Sequence, residues 1–279
     1  MNKLFNNILV PVDFSVASEF AIEKAIDIAN HFRCNVHLLT AGNGRVINQA
    51  HTSKTNTSGD AAAGETRLLQ LKNKYLSQLE PGLSMYTAVR VSSNNRAVTE
   101  YIAVQQIDLV ILGTRISLLS KIFGTGYNLS HISRRVDCPV LSVRKDAGHE
   151  RWMNIVLPVC SMLPIRKIMF ASYLGRKYNS RIHLLSIAGD EINDNPERNE
   201  YLYKAYQLLR DNTRLTIECH TIRGHNIADT TLRFAQKINA DLIVVNPGNE
   251  SRLSGFFNRA LNGNIFNESR IPVMTVSAL

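Results

Sequence analysis

Apolar and polar positions along this chain follow two periods, one typical of buried strands and one typical of amphipathic helices. Short apolar runs such as 8–12 precede longer stretches such as 20–32, where apolar residues recur three or four positions apart. This alternation is typical of a parallel sheet with crossover helices. It predicts strands at 7–12, 35–41, 86–91, 108–112, 139–143, 154–159, 181–187, 214–222, 241–245 and 272–277.

Helical periodicity occupies most of the intervening segments. Ser15 is predicted to cap the first helix, because a serine hydroxyl can accept a hydrogen bond from a free amide of the first turn. The exception is 42–64, rich in Gly, Ser, Thr, Asn and Ala with little periodicity, which predicts a mobile loop. Helices are predicted at 15–32, 68–79, 95–105, about 126–136, 164–178, 196–212, 226–238 and about 259–269.

The same order of elements occurs twice. Matching segments are 8–12 with 155–159 (each apolar and ending in Pro-Val), 108–112 with 241–245, and 138–143 with 271–276. Self-similarity over this length indicates a duplicated domain, and each copy is long enough to bury its own core. We therefore predict two α/β domains, 1–145 and 153–279, and expect the second to be the more degenerate copy.

Composition and charge narrow the classes of function. The net charge of +9 is spread thinly, with Arg134 and Arg135 as the tightest basic cluster, and this does not favour nucleic-acid binding. No apolar run is long enough to span a membrane. The four cysteines are scattered without a Cys-x-x-Cys pair, as expected for free thiols in a reducing cytoplasm. We expect a cytoplasmic protein.

Candidate chemistry lies beyond the ends of strands one and four of each half. In open parallel sheets, ligands bind beyond the carboxyl ends of the strands, where the strand order reverses. In the first half these positions hold Asp13 and the run 113–116, and in the second half they hold Cys160 and the run 246–249. A pocket of Cys160, Arg223 and Asn249 in the second half is a weaker candidate for a small anion.

Three segments carry a resemblance to a known family. Pro-Val-Asp-Phe-Ser at 11–15, Asp-Leu-Val-Ile-Leu-Gly-Thr at 108–114 and Cys-Pro-Val-Leu-Ser-Val at 138–143 resemble the universal stress proteins. The resemblance extends over both halves, as in a tandem two-domain member. It implies Rossmann-like five-stranded parallel sheets of order 3-2-1-4-5, flanked by helices. It also implies that the halves pair through their last strands as an internal pseudo-dimer, while further homodimerisation and protein partners stay open.

The family includes ATP binders with a G-x-x-G segment followed further on by G-[ST]. Bare glycine backbone lets phosphates approach, and amides at a helix N-terminus hold them. Here Gly113 and Gly126 keep the spacing, but Ile116 replaces the second glycine and Tyr127 the Ser/Thr. Asp13 matches the acidic residue that contacts the adenosine part. The residues that the resemblance assigns to ATP, with magnesium, are Pro11, Val12, Asp13, Thr40, Gly113, Thr114, Arg115, Gly126, Tyr127 and Asn128.

Several residues have a structural interpretation beside the functional one. Asp13 could cap the first helix, and Tyr127 could either cover a ligand ring or fill the pocket itself. His37 and His183, at matching places in strand two of each half, are interpreted as hydrogen-bonded strand histidines rather than ligands.

No catalytic motif is present: the chain has no Gly-x-Ser-x-Gly elbow, no His-Glu-x-x-His and no Walker loop. We therefore expect a non-catalytic stress-response regulator with a degenerate nucleotide cleft in its first half. The alternative is an ATP-binding member that acts as a ligand-controlled switch.

Overall fold

The computed structural model divides the chain into two compact units, Met1–Lys145 (unit 1) and Asp146–Leu279 (unit 2). The structure describes residues 3–41, 57–114, 127–145, 151–160, 162–189, 196–252, 265 and 269–278. Both units are built from parallel strands and helices, as the alternating periods predict. Among the described residues, no helix combines the length and the apolar character needed to cross a membrane.

Unit 1 holds five parallel strands in the order β3-β2-β1-β4-β5. The two central strands are buried along most of their length, which explains their unbroken apolar runs. The reversal of strand order lies between β1 and β4. The elements are β1 (Asn7–Pro11), α1 (Val16–Phe32), β2 (Asn35–Ala41), α2 (Thr57–Tyr75), β3 (Met85–Arg90), α3 (Asn94–Gln105), β4 (Leu109–Gly113), α4 (Leu129–Ser133) and β5 (Val140–Val143).

Unit 2 repeats this arrangement with parallel strands in the order β10-β9-β6-β7-β8. This is the same 3-2-1-4-5 order, so the fold predicted from the family resemblance is confirmed for each unit. The elements are β6 (Asn154–Pro158), α5 (Ile165–Tyr178), β7 (Arg181–Ala188), α6 (Pro196–Asn212), β8 (Thr216–Arg223), α7 (Ile227–Lys237), β9 (Leu242–Val245) and β10 (Val273–Thr275).

Three predicted segments differ from the structure or extend beyond its described part. The predicted loop 42–64 is wrong at its carboxyl end, because α2 already begins at Thr57, and 42–56 lies outside the described residues. The predicted helix at 68–79 covers the carboxyl half of α2. The small polar residues at its start carry no apolar stripe, so periodicity could not reveal that part. The predicted helix at 126–136 is only Leu129–Ser133. Most of the predicted helix at 259–269 lies outside the described residues.

Helix α1 begins with the predicted cap. The Ser15 hydroxyl accepts a hydrogen bond from the Ser18 amide (3.2 Å), and the Ser15 amide donates to the Ser18 hydroxyl (3.1 Å). This reciprocal pair is a capping box, and it satisfies amides that the first turn leaves free. Phe14, just before it, has a left-handed backbone with φ of 59°. The turn from β1 into α1 is therefore fixed by local hydrogen bonds.

The first turn of α1 crosses the end of β4 at Gly113. A Cβ atom on Gly113 would lie 2.0 Å from the Ala17 carbonyl oxygen and 3.0 Å from the Ser18 nitrogen. Both atoms belong to backbone that the capping box holds in place, so neither can move aside cheaply. Gly113 is thus required for packing of the helix on the sheet, whatever else it does.

We expect Gly113→Ala to lower the free energy of unfolding by about 1–3 kcal/mol, because the added methyl group overpacks a rigid contact. Gly189 supplies the control, since a Cβ atom added there would meet nothing within 4 Å and its backbone is ordinary. Gly189→Ala should change stability by less than about 0.5 kcal/mol. Urea denaturation of both variants measures the difference, and equal stabilities would refute the packing role.

Candidate functional site

The carboxyl edge of the unit 1 sheet is occupied by the side chain of Tyr127. Its hydroxyl accepts a hydrogen bond from the Ala41 amide (2.9 Å) and donates one to the Leu39 carbonyl (3.3 Å). These backbone groups belong to the last residues of β2, beside β1. Thr40, which is 3% exposed, also hydrogen-bonds to Tyr127 through its side chain. The phenol therefore engages an amide and a carbonyl at the carboxyl end of β2.

The surroundings of Tyr127 keep its hydroxyl protonated. Burial raises the pKa of Tyr127 well above its usual value. The Ala41 amide lowers this pKa by a smaller amount, and the nearby charge of Asp13 raises it by less still. A neutral hydroxyl can donate and accept at once, as the two backbone bonds require. Tyr127 thus lies close to Asp13, the residue that the resemblance assigns to the adenosine part.

Asp13 does not cap α1, which corrects the structural interpretation of this residue. Its carboxylate accepts a hydrogen bond from the Ser15 amide (3.1 Å), two residues on, and Ser15 is the cap. This is an Asx-type turn, which shapes the loop between β1 and α1. Asp13 is half-buried, and its charge is close enough to act on the Tyr127 hydroxyl.

The other predicted site residues divide into three groups. Val12 directly follows β1 and its amide donates to the Leu39 carbonyl (2.7 Å), while Pro11 is buried at the end of β1. Thr114 is tied to β5 through its amide and the Val143 carbonyl (2.8 Å). Asn128 is exposed and caps α4 by accepting from the His131 amide (3.0 Å). Arg115 and Gly126 lie outside the described residues, as does Ile116.

A cation on a neighbouring helix also contacts this loop. The Arg67 guanidinium of α2 lies 3.8 Å from the centre of the Phe14 ring, within cation–π distance. Sequence reasoning did not associate Arg67 with the cleft, because the helix that carries it begins inside the predicted loop.

Unit 2 fills the corresponding edge with a buried ion pair. Lys167, in the first turn of α5 and 1% exposed, donates to a Glu250 carboxylate oxygen (2.6 Å) and to the Pro158 carbonyl (2.7 Å). The same Glu250 oxygen accepts from the Asn246 amide (2.7 Å). Asn246 is the first residue after β9, and Gly113 is the last residue of β4, the equivalent strand of unit 1. The carboxylate of Glu250 therefore binds both the buried ammonium group and the first amide after β9.

The pair Lys167–Glu250 was missed by sequence reasoning, although a signal exists. Lys167 interrupts the apolar face of α5, beside Ile168 and Ala171, where a lone charge requires a partner. The predicted pocket of Cys160, Arg223 and Asn249 is not supported: Cys160 is 8% exposed, Arg223 is an exposed residue at the end of β8, and the side chain of Asn249 is not described.

In the described residues, each of the two edges holds a side chain of the chain itself. In unit 1 a tyrosine hydroxyl satisfies the backbone groups of β2, and in unit 2 a carboxylate with its own lysine holds the loop amide. Each edge has a partner from its own chain.

Comparisons with known proteins agree with this fold. The family model described as "Universal stress protein family" matches residues 4–144. No curated protein matches the sequence. A universal stress protein from Archaeoglobus fulgidus DSM 4304 is similar in structure, with 15% identity and a TM-score of 0.72 over 99% of this chain and 98% of that one.

Two Pseudomonas aeruginosa structures are also similar over nearly the whole chain. One, described as a putative universal stress protein, is from strain UCBPP-PA14 and has 18% identity and a TM-score of 0.64, covering 99% of this chain and 95% of that one. The other, of unknown function, is from strain PAO1 and has 19% identity and a TM-score of 0.60, covering 98% and 93%. At these identities the likeness concerns the fold alone.

We expect Lys167→Met to lower the free energy of unfolding by about 3–5 kcal/mol, because it leaves the Glu250 carboxylate buried without its counter-charge. The exposed pair Lys204–Glu200 in the same unit supplies the control. Lys204→Met should cost less than about 1 kcal/mol. Denaturant unfolding measures both. Similar losses in the two variants would show that the buried pair has no special role.

Proposed function

Because this chain belongs to the universal stress protein family, we propose that it is a non-catalytic stress-response regulator whose nucleotide cleft in unit 1 is closed by its own Tyr127. The observation that carries the proposal is the double hydrogen bond of the Tyr127 hydroxyl with the Ala41 amide and the Leu39 carbonyl. Because the Ala41 amide and the Leu39 carbonyl already bind the Tyr127 hydroxyl, a ligand would have to compete with Tyr127 for these two groups.

The chemistry of the described residues supports a regulatory rather than an enzymatic role. Asp13, the acidic group of the unit 1 edge, forms a local turn with Ser15. Lys167 and Glu250, the charged groups of the unit 2 edge, neutralise each other. General acid–base or nucleophilic catalysis needs a group free to exchange protons with a substrate, and these residues are engaged otherwise.

We place the protein in the cytoplasm. All four cysteines are thiols rather than disulfides: Cys34 and Cys160 are buried, Cys138 is partly buried and Cys219 is exposed. Burial raises the pKa of the Cys34 thiol to about 12, so this group is inert at neutral pH. An exposed thiol such as Cys219 is compatible with a reducing compartment.

Under this proposal the protein acts by binding other proteins.

The alternative, an ATP-operated switch, makes a different prediction for Tyr127. If Tyr127 closes the cleft, the wild-type protein should show no saturable binding of labelled ATP with magnesium at millimolar nucleotide. Tyr127→Ser restores the Gly-Ser pair of the ATP-binding pattern at 126–127 and frees the Ala41 amide, so it should create or strengthen binding at least tenfold, which corresponds to about 1.4 kcal/mol.

Equilibrium dialysis measures this binding, and Tyr86→Ser is the matched control, since Tyr86 is a half-exposed tyrosine on β3 in the same unit. That variant should bind as the wild type does. Tight ATP binding by the wild-type protein that is unchanged in Tyr127→Ser would refute the closed cleft and favour the nucleotide switch.

A further inference from the structure

Three potential metal ligands converge on one face of the unit 2 sheet, near the amino end of β7 and away from the cleft edge. The His183 Nδ1 and His220 Nε2 atoms are 3.1 Å apart. A Glu218 carboxylate oxygen lies 3.4 Å from the first and 3.6 Å from the second. Glu218 and His220 are two positions apart on β8, so the pleat places both side chains on the same face.

These three distances match the geometry of a metal centre. Zinc binds histidine nitrogen and carboxylate oxygen at about 2.0–2.2 Å, so neighbouring ligands of a tetrahedral ion are about 3.3 Å apart. Two imidazoles and one carboxylate form a donor set that suits first-row divalent cations, zinc above all. We propose that His183, Glu218 and His220 form a binding site for a zinc-like divalent transition-metal ion, with its fourth position open to water.

The surroundings orient each ligand. The His183 Nε2 atom lies 3.3 Å from the Asn154 amide oxygen, so it carries the proton and leaves Nδ1 with a free electron pair. Arg181 lies 3.1 Å from the other oxygen of Glu218 and holds that carboxylate in place. Partners of this kind fix ligand orientation in metal centres.

Unit 1 provides an internal comparison in which the site is absent from the described residues. There His37 occupies the place of His183, and its register partner on β3 is Tyr86, where β8 has Glu218. The His37 Nδ1 atom is 3.0 Å from the Tyr101 hydroxyl. In unit 2 the position equivalent to Tyr101 holds Phe234, whose ring packs on His183 and His220. Phenylalanine has no hydroxyl group that could bond to the His183 Nδ1 atom.

Burial and access also favour an ion here. His183 is 4% exposed, which makes it a rigid ligand, whereas the side chains of His220 and Glu218 are 27% and 38% exposed. Glu218 and His220 belong to β8, which is an edge strand of the unit 2 sheet, so an ion can reach them from solvent. An ion bound here would replace the hydrogen bond between the two histidines. His220 would bind the ion through Nε2, which must first lose its proton.

The test uses the full-length protein without a histidine tag, stripped with EDTA, and isothermal titration with Zn²⁺. One ion per chain is expected. His220→Ala should weaken binding about 100-fold or more, and Glu218→Gln and Phe234→Tyr about tenfold, the last because its hydroxyl competes for His183 as in unit 1. His31→Ala, at an exposed histidine of α1, should leave the affinity unchanged.

Cobalt gives an independent readout, because a four-coordinate Co²⁺ centre has visible absorption that disappears in His220→Ala if this histidine is a ligand. Glu218→Gln and His220→Ala alter partly exposed side chains, so circular dichroism should show both variants folded. The proposal is overturned if the wild-type protein binds no zinc, or if it binds zinc with an affinity that both of these variants retain.

Discussion

Backbone groups at the carboxyl edge of a parallel sheet must find hydrogen-bond partners, and the rest of this structure is arranged around that constraint. Groups beyond the last ladder bond of a strand need a partner from elsewhere, and in open parallel sheets this edge is also where ligands bind. In the described part of this chain, each unit supplies such a partner from one of its own side chains, and the two side chains differ in chemistry.

The two units meet this constraint in different ways. Unit 1 uses a neutral phenol, Tyr127, whose hydroxyl both donates and accepts. Unit 2 uses a carboxylate, Glu250, whose charge is balanced by the buried Lys167. Displacing the neutral phenol would break two hydrogen bonds, whereas separating the ion pair would leave a buried charge without its counter-charge. The polar groups of the unit 2 edge are therefore expected to be held more strongly than those of the unit 1 edge.

Divergence of the two copies also changed the opposite region of the sheet. His37 and His183 occupy equivalent positions in the second strand of their units, and the Nε2 atom of each lies near an asparagine oxygen. Their other neighbours differ. In unit 1 a tyrosine hydroxyl completes the hydrogen bonding of the ring, which confirms His37 as a hydrogen-bonded strand histidine. In unit 2 a second histidine and a glutamate converge instead. The same scaffold position can thus serve packing in one copy and ligand chemistry in the other.

The sequence by itself determined the architecture. The hydrophobic periods located the strands, the internal repeat located two copies of the domain, and Ser15 was identified as a helix cap. These features could be predicted because they depend on neighbours along the chain. The first part of helix α2 was not predicted, since a helix start without an apolar stripe gives no periodic signal. Only the tertiary structure decided what fills the edges and what meets at His183. Tyr127 with Ala41, Lys167 with Glu250, and His183 with His220 are far apart in sequence, and their meeting depends on strand register and helix packing, which no local pattern encodes.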